Sequence, residues 1–178
     1  GKVDAREVTR RRIGTVLEEL RDVGPSMLNP VLQSIDRTQD EGLRFQLWEA
    51  GCTMVLNAVA DAAASRLREP SRYYGPGLGL EALSAAAVLP DPVLTAGLKL
   101  EESDLKKAAV DRYGPAGDVS GHRDNVTTER KRARAYQALL LLAIGVRRST
   151  AGKALLARWA VDADSDLATA AWAGLAMY

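Results

Sequence analysis

From Thr127 to Tyr178 apolar positions recur at helical spacing between short polar turns, and this stretch sets the pattern for the rest of the chain. The run from Arg134 to Val146 is rich in Ala and Leu, which lose little side-chain freedom in a helix. It predicts a helix over 127–145, capped by Thr127 or Thr128. Arg147, Arg148, Ser149 and Thr150 form a polar turn and cap a second helix over 151–161, with Leu155, Leu156 and Trp159 on one face. Asp162, Asp164 and Ser165 interrupt the pattern and cap a third helix from about Asp166. Its inner stripe is Leu167, Ala170, Ala171, Gly174 and Leu175.

Upstream, 3–23 reads as a helix with Ile13, Val16, Leu17 and Leu20 in one stripe, stopped by Gly24-Pro25. Asn29-Pro30 reads as a cap with proline at the first helical position, opening a short helix to about Asp36 that buries Val31, Leu32 and Ile35. Asp40 caps what reads as the longest helix, 41–68, which carries Leu43, Leu47, Met54, Ala58, Ala62 and Leu67, with Gly51 as a candidate bend. Residues 70–79, rich in Gly and Pro around Tyr73 and Tyr74, read as a hinge. A helix over 80–89 follows, then Pro90-Asp91-Pro92 and a short helix burying Val93, Leu94 and Leu98. Ser103 caps a helix ending at Tyr113-Gly114, where glycine suits a left-handed cap. Residues 115–126 are the most disordered-looking stretch. The expected fold is therefore all-α, with about 8–9 helices. It divides into an N-terminal unit (1–69), the hinge (70–79) and a C-terminal array (80–178) with a polar loop at 115–126, unless the whole forms one continuous domain.

Composition agrees with helix packing: 47% of the 178 residues are hydrophobic, yet only three Trp, five Tyr and one Phe are aromatic. A net charge of +1 gives no whole-molecule field toward nucleic acid or membrane. Cys52 is the single cysteine, so no internal disulfide forms and a cytoplasmic setting is expected. No apolar run reaches the length of a membrane span and no signal-peptide pattern opens the chain, so no membrane partner is expected. The prominence of Ala, Arg, Gly, Leu and Val suggests a bacterial source. A first residue of Gly and a last helix that reads as continuing are what an excised piece of a longer protein would have.

Motifs for chemistry are sparse. Asp162, Asp164 and Asp166 imitate the start of a calcium loop, but Leu167 stands where that loop needs Gly and no Glu closes it. Gly145 and Gly152-Lys153 are spaced wrongly for a phosphate loop, and Ala154 replaces its Ser or Thr. His122 has no ligand set around it, and Cys52 no adjacent base. No cofactor, metal or catalytic residue is expected. The acidic-partner or nucleic-acid candidates are Arg10, Arg11, Arg12, Arg130, Lys131, Arg132, Arg134, Arg147 and Arg148; Tyr73 and Tyr74 are candidates to face a partner.

The paired helices over 134–178, with an acidic turn and an Asp-Leu-x-x-Ala-Ala start, resemble a HEAT-type repeat, the unit of many α-solenoids. Ser103-Asp104-Leu105 with Ala108-Ala109 echoes Ser165-Asp166-Leu167 with Ala170-Ala171, and Leu43 extends the echo, the leucines falling 62 residues apart. That period exceeds the roughly 40–47 residues of HEAT units, so each unit would need an extra helix or a long connection. The resemblance implies a protein-interaction scaffold whose partner is another protein or a second copy of itself. Some HEAT-like proteins, including a class of alkyl-base glycosylases, bind DNA on a concave basic face. Their catalytic acid and aromatic platform match no named position here. A nucleic-acid-binding module using the arginine clusters is the alternative, and an enzyme with an unrecognised site the second alternative.

Overall fold

The computed structural model describes residues 7, 8, 11, 14, 15, 18, 19, 22–66, 77–115, 117–162 and 164–178. Among them are eight α-helices and no strand, so the all-α expectation is met. The helices are α1 (Leu28–Arg37), α2 (Glu41–Ser65), α3 (Leu78–Val88), α4 (Asp91–Ala96), α5 (Glu102–Tyr113), α6 (Val119–Arg147), α7 (Thr150–Trp159) and α8 (Ser165–Ala176). A 3-10 turn, Pro25–Met27, leads into α1. The described residues between Glu7 and Val23 are helical as well, whereas the expected stripe Ile13, Val16, Leu17 and Leu20 lies outside the described residues.

Local capping follows the sequence where a side chain reaches its own first turn. Asp40 accepts from the Leu43 amide at 2.8 Å and Ser149 Oγ from the Gly152 amide at 3.2 Å. Asp164 Oδ1 accepts from Asp166 and Leu167, so the acidic run is a helix cap. Gly114 ends α5 with φ +78° and ψ 173°, a positive φ but not the left-handed helical cap expected there.

Three boundaries, one length ranking and one burial differ from expectation. Helix α6 starts at Val119, because Asp118 accepts from the Gly121 amide at 2.6 Å; most of the expected loop 115–126 is thus helix, and Thr127 and Thr128 sit inside it, donating to carbonyls one turn back. With 29 residues α6 also exceeds the 25 of α2, which had read as the longest. Glu101, not Ser103, occupies the cap position of α5. Asn29 lies within α1 and donates to the Arg147 carbonyl instead of capping. Val93 is exposed, while Leu94 and Leu98 are buried as expected.

The core is built around α6. From Gln137 to Val146 every residue of that helix is buried, a pattern that fits only a helix surrounded on all sides. It packs against α1, α3, α4, α5, α7 and α8. Leu140, Leu141 and Leu142 are each fully buried, and such side chains contribute about 1.5–3 kcal/mol apiece. The main apolar cluster takes residues from α1 and α2 as well as from α3, α4, α6, α7 and α8, so both sides of the 70–79 segment share one core. The tyrosines expected in that segment, Tyr73 and Tyr74, lie outside the described residues.

Small residues set the closest approaches. A Cβ on Gly145 would meet Gly174 Cα at 2.5 Å, and one on Gly79 would meet the Cys52 carbonyl oxygen at 2.6 Å. At Gly51, the candidate bend, a Cβ would come within 2.7 Å of Leu83, so the glycine is a contact point.

Helix α5 stands apart from this core. Its substantial contacts are with α6 alone, through a separate small cluster of Leu105, Ala109 and Val126 with Ala133 against it. Together α5 and the outer half of α6 form a two-helix arm on the body.

Candidate functional site

Where the arm meets the body, α5, the 97–101 turn and α6 border an open cavity of about 340 Å³. Its α5 wall carries Asp104, Leu105 and Ala108; its α6 wall carries Glu129, Arg132, Ala133, Tyr136 and Gln137; Lys99, Leu100 and Glu101 close the base. The spacing explains the walls. Residues 101, 104, 105 and 108 fall on one face of α5, and 129, 132, 133, 136 and 137 on one face of α6.

Two polar side chains are buried among the apolar ones. Gln137 is 3% exposed and donates to the Leu98 carbonyl at 2.7 Å, tying α6 to the turn at the base of the cavity. Glu129 is 6% exposed. Arg112 Nε, on α5, lies 2.9 Å from its Oε1, and Arg132 Nη1 lies 3.6 Å from the same oxygen. Neither guanidinium is aligned as a hydrogen-bond donor to that buried oxygen, so it is held by charge without a directed N–H. Both arginines are about half exposed, which lowers the contribution of each pair to stability.

The sequence-predicted cations do not converge. Arg130 pairs with Glu102 at 2.6 Å and Arg134 with Asp164 at 2.6 Å. Arg132 turns to Glu129, and Lys131 is exposed. Arg147 pairs with Asp91 and donates to the Ala86 carbonyl. Arg148, the left-handed cap of α6, donates to the Ser26 and Tyr178 carbonyls. At 1.5 Å per residue the Arg132 and Arg147 positions lie roughly 22 Å apart along α6. Arg11 pairs with Glu7 on the surface, and Arg10 and Arg12 lie outside the described residues.

A second cavity of about 270 Å³ borders the start of α7, lined by Asp91, Thr95, Ser149, Leu155 and Arg158 among others. Beside it Tyr178 donates to the Ser149 carbonyl at 2.6 Å, and burial moves its phenol pKa upward. Cys52 is half-buried on α2, and burial raises its thiol pKa, which disfavours the thiolate. His122, expected in a loop, lies in the first turns of α6. Among the described residues no group of three or more His, Cys, Asp or Glu is placed to hold a metal ion, and no helix is long and apolar enough to cross a membrane.

Arg112, Glu129 and Gln137 were not singled out in the sequence. The available signal was polar residues inside an apolar stripe: Val126, Glu129, Ala133 and Gln137 follow one face of α6. Comparison of the chain with protein-family models, curated proteins and solved structures finds no match.

Proposed function

We propose that this chain is a non-enzymatic interaction module that receives a segment of another protein in the cavity between α5 and α6. The observation that carries the reading is the cavity itself: apolar and charged side chains interleaved on its walls, two buried polar groups among them, and a volume suited to one or two side chains. Tyr136 and Leu100 add exposed apolar surface at its edge. Aromatic residues of this kind are enriched in protein interfaces.

The HEAT-like reading belongs to the same proposal. Support comes from α6, α7 and α8, which follow one another through short turns and pack mutually. The contact of α8 with α2 weighs toward a bundle around α6, since solenoid units meet only their neighbours. A cytoplasmic, bacterial setting is part of the proposal through the single cysteine and the composition. A nucleic-acid reading draws less support, because Arg130, Arg134, Arg147 and Arg148 already face oxygens of their own chain.

The test is a phage-displayed library of random peptides panned on the protein and on Ala108→Trp, which fills the cavity. Enrichment on the first and none on the second, with circular dichroism unchanged, is expected. Equal enrichment on both, or on neither, removes the reading; a solution mass showing self-association that Ala108→Trp abolishes makes the partner a second copy.

A further inference from the structure

Resting on that reading, we infer that the partner segment presents a single carboxylate side chain to Arg112 and Arg132. Arg132 and Glu129 line the cavity, and Arg112, on the facing helix outside the lining, meets the same Glu129 oxygen, the two guanidinium groups standing 2.9 Å (Arg112) and 3.6 Å (Arg132) from it. Glu129 is held on the inner face of α6 and is 6% exposed, so its carboxylate is a fixed post. The trio carries one more positive charge than negative. Each guanidinium offers five N–H groups in a planar fork, and the geometry at Glu129 Oε1 takes none of them as an aligned hydrogen bond. Most of both forks is therefore open to a second, incoming acid, already gathered at one place.

A carboxylate fits better than a nucleic-acid backbone. One excess charge balances one carboxylate, whereas a polynucleotide needs several cations along its path. The neighbouring arginines along α6, Arg130 and Arg134, lie off the cavity face and are matched by Glu102 and Asp164. Lys99, Glu101 and Asp104 also line the cavity and together carry one net negative charge, which disfavours a second acid. Leu105, Ala108, Ala133 and Tyr136 would receive the apolar stem and its neighbours.

The experiment uses three phage libraries of random peptides with a fixed central Glu, Gln or Lys, panned on the intact chain, with affinities of the selected peptides measured by fluorescence anisotropy. The Glu library is expected to enrich, and its binders to lose at least tenfold in affinity on Arg132→Gln and on Arg112→Gln. Arg123→Gln removes the same charge from an exposed position on α6 outside the cavity and should leave affinity unchanged. Unchanged binding to Arg132→Gln overturns the inference, as does enrichment of the Lys library in place of the Glu library. If the Gln library enriches equally and Ala108→Trp abolishes both, the peptide-receiving cavity stands and the carboxylate falls. If no library enriches, both fall. Displacement of the Glu peptides by a short single-stranded oligonucleotide with steep salt dependence would reassign the pair to phosphate and also overturn it.

Discussion

Alanine at Gly145 tests the packing on which the core depends. Its Cβ would stand 2.5 Å from Gly174 Cα, 2.7 Å from the Gly174 carbonyl oxygen and 2.8 Å from Met177 Sδ. Non-bonded carbons settle at about 3.5–4.0 Å, so α6 and α8 would have to part by about 1 Å at the crossing. The methionine sulfur can swing aside, but the other two atoms are backbone of a helix buried along most of its length. Overpacking costs about 1–3 kcal/mol, here toward the upper end at about 2–3 kcal/mol because backbone is the obstacle, and the better helix propensity of alanine returns up to ~1 kcal/mol. A net loss of about 1–2 kcal/mol remains, which in a chain of this size lowers the melting temperature by about 2–8 °C. Thermal and urea unfolding followed by far-ultraviolet circular dichroism measure it. Gly14→Ala, where no atom lies within 4 Å of the added carbon, is the comparison and should not destabilise. A Gly145→Ala protein as stable as the wild type, or more so, would refute the reasoning, because the helices would then separate at no cost.

Three further outcomes are expected. Glu129→Gln leaves Arg112 and Arg132 without their shared acid and should cost about 1–2 kcal/mol, discounted for the exposure of both arginines; amide exchange should quicken in α5 and hold in residues 137–146. The Asp118 carboxyl sits below the usual range because the Gly121 amide and the Ser120 hydroxyl donate to it. A depressed folded pKa means that its capping contribution is fully present above the ordinary carboxylate pKa and is lost only as pH falls through the lower folded value. The Gly121 amide signal should therefore hold its shift to lower pH than those beside uncapped carboxylates, and Asp118→Ala should remove the plateau. The Cys52 thiol, raised by burial, should react with a disulfide reagent more slowly than the unfolded chain at the same pH, and equal rates would contradict its half-buried placement.

What was legible in the sequence was local. Asp40, Ser149 and Asp164 cap their own helices, and the Leu139–Leu142 run had to be surrounded because no side of it was polar. The start of α6 was not legible for the opposite reason. Gly117, Ser120, Gly121 and Asn125 are poor helix formers taken singly, but the Asp118 cap and the packing of Val126 on Leu105 and Ala109 override their propensity. The arginine clusters misled because sequence proximity says nothing about the acids that meet them: Glu102, Asp164 and Asp91 lie 28, 30 and 56 residues away from Arg130, Arg134 and Arg147. Arg112 and Glu129 escaped notice because the pair exists only once two helices fold back on each other.

The continuity of α6 from core to arm has a mechanical consequence. Its 29 residues make one rod about 43 Å long, gripped on every side over its inner third and free of any loop that could absorb a bend. The outer wall, α5, makes its substantial contacts among the described residues with α6 alone. The cavity therefore has a fixed jaw and a movable one: any widening to admit an occupant falls on α5, while torque applied at the tip of α6 is resisted by the body, at the glycine crossing with α8.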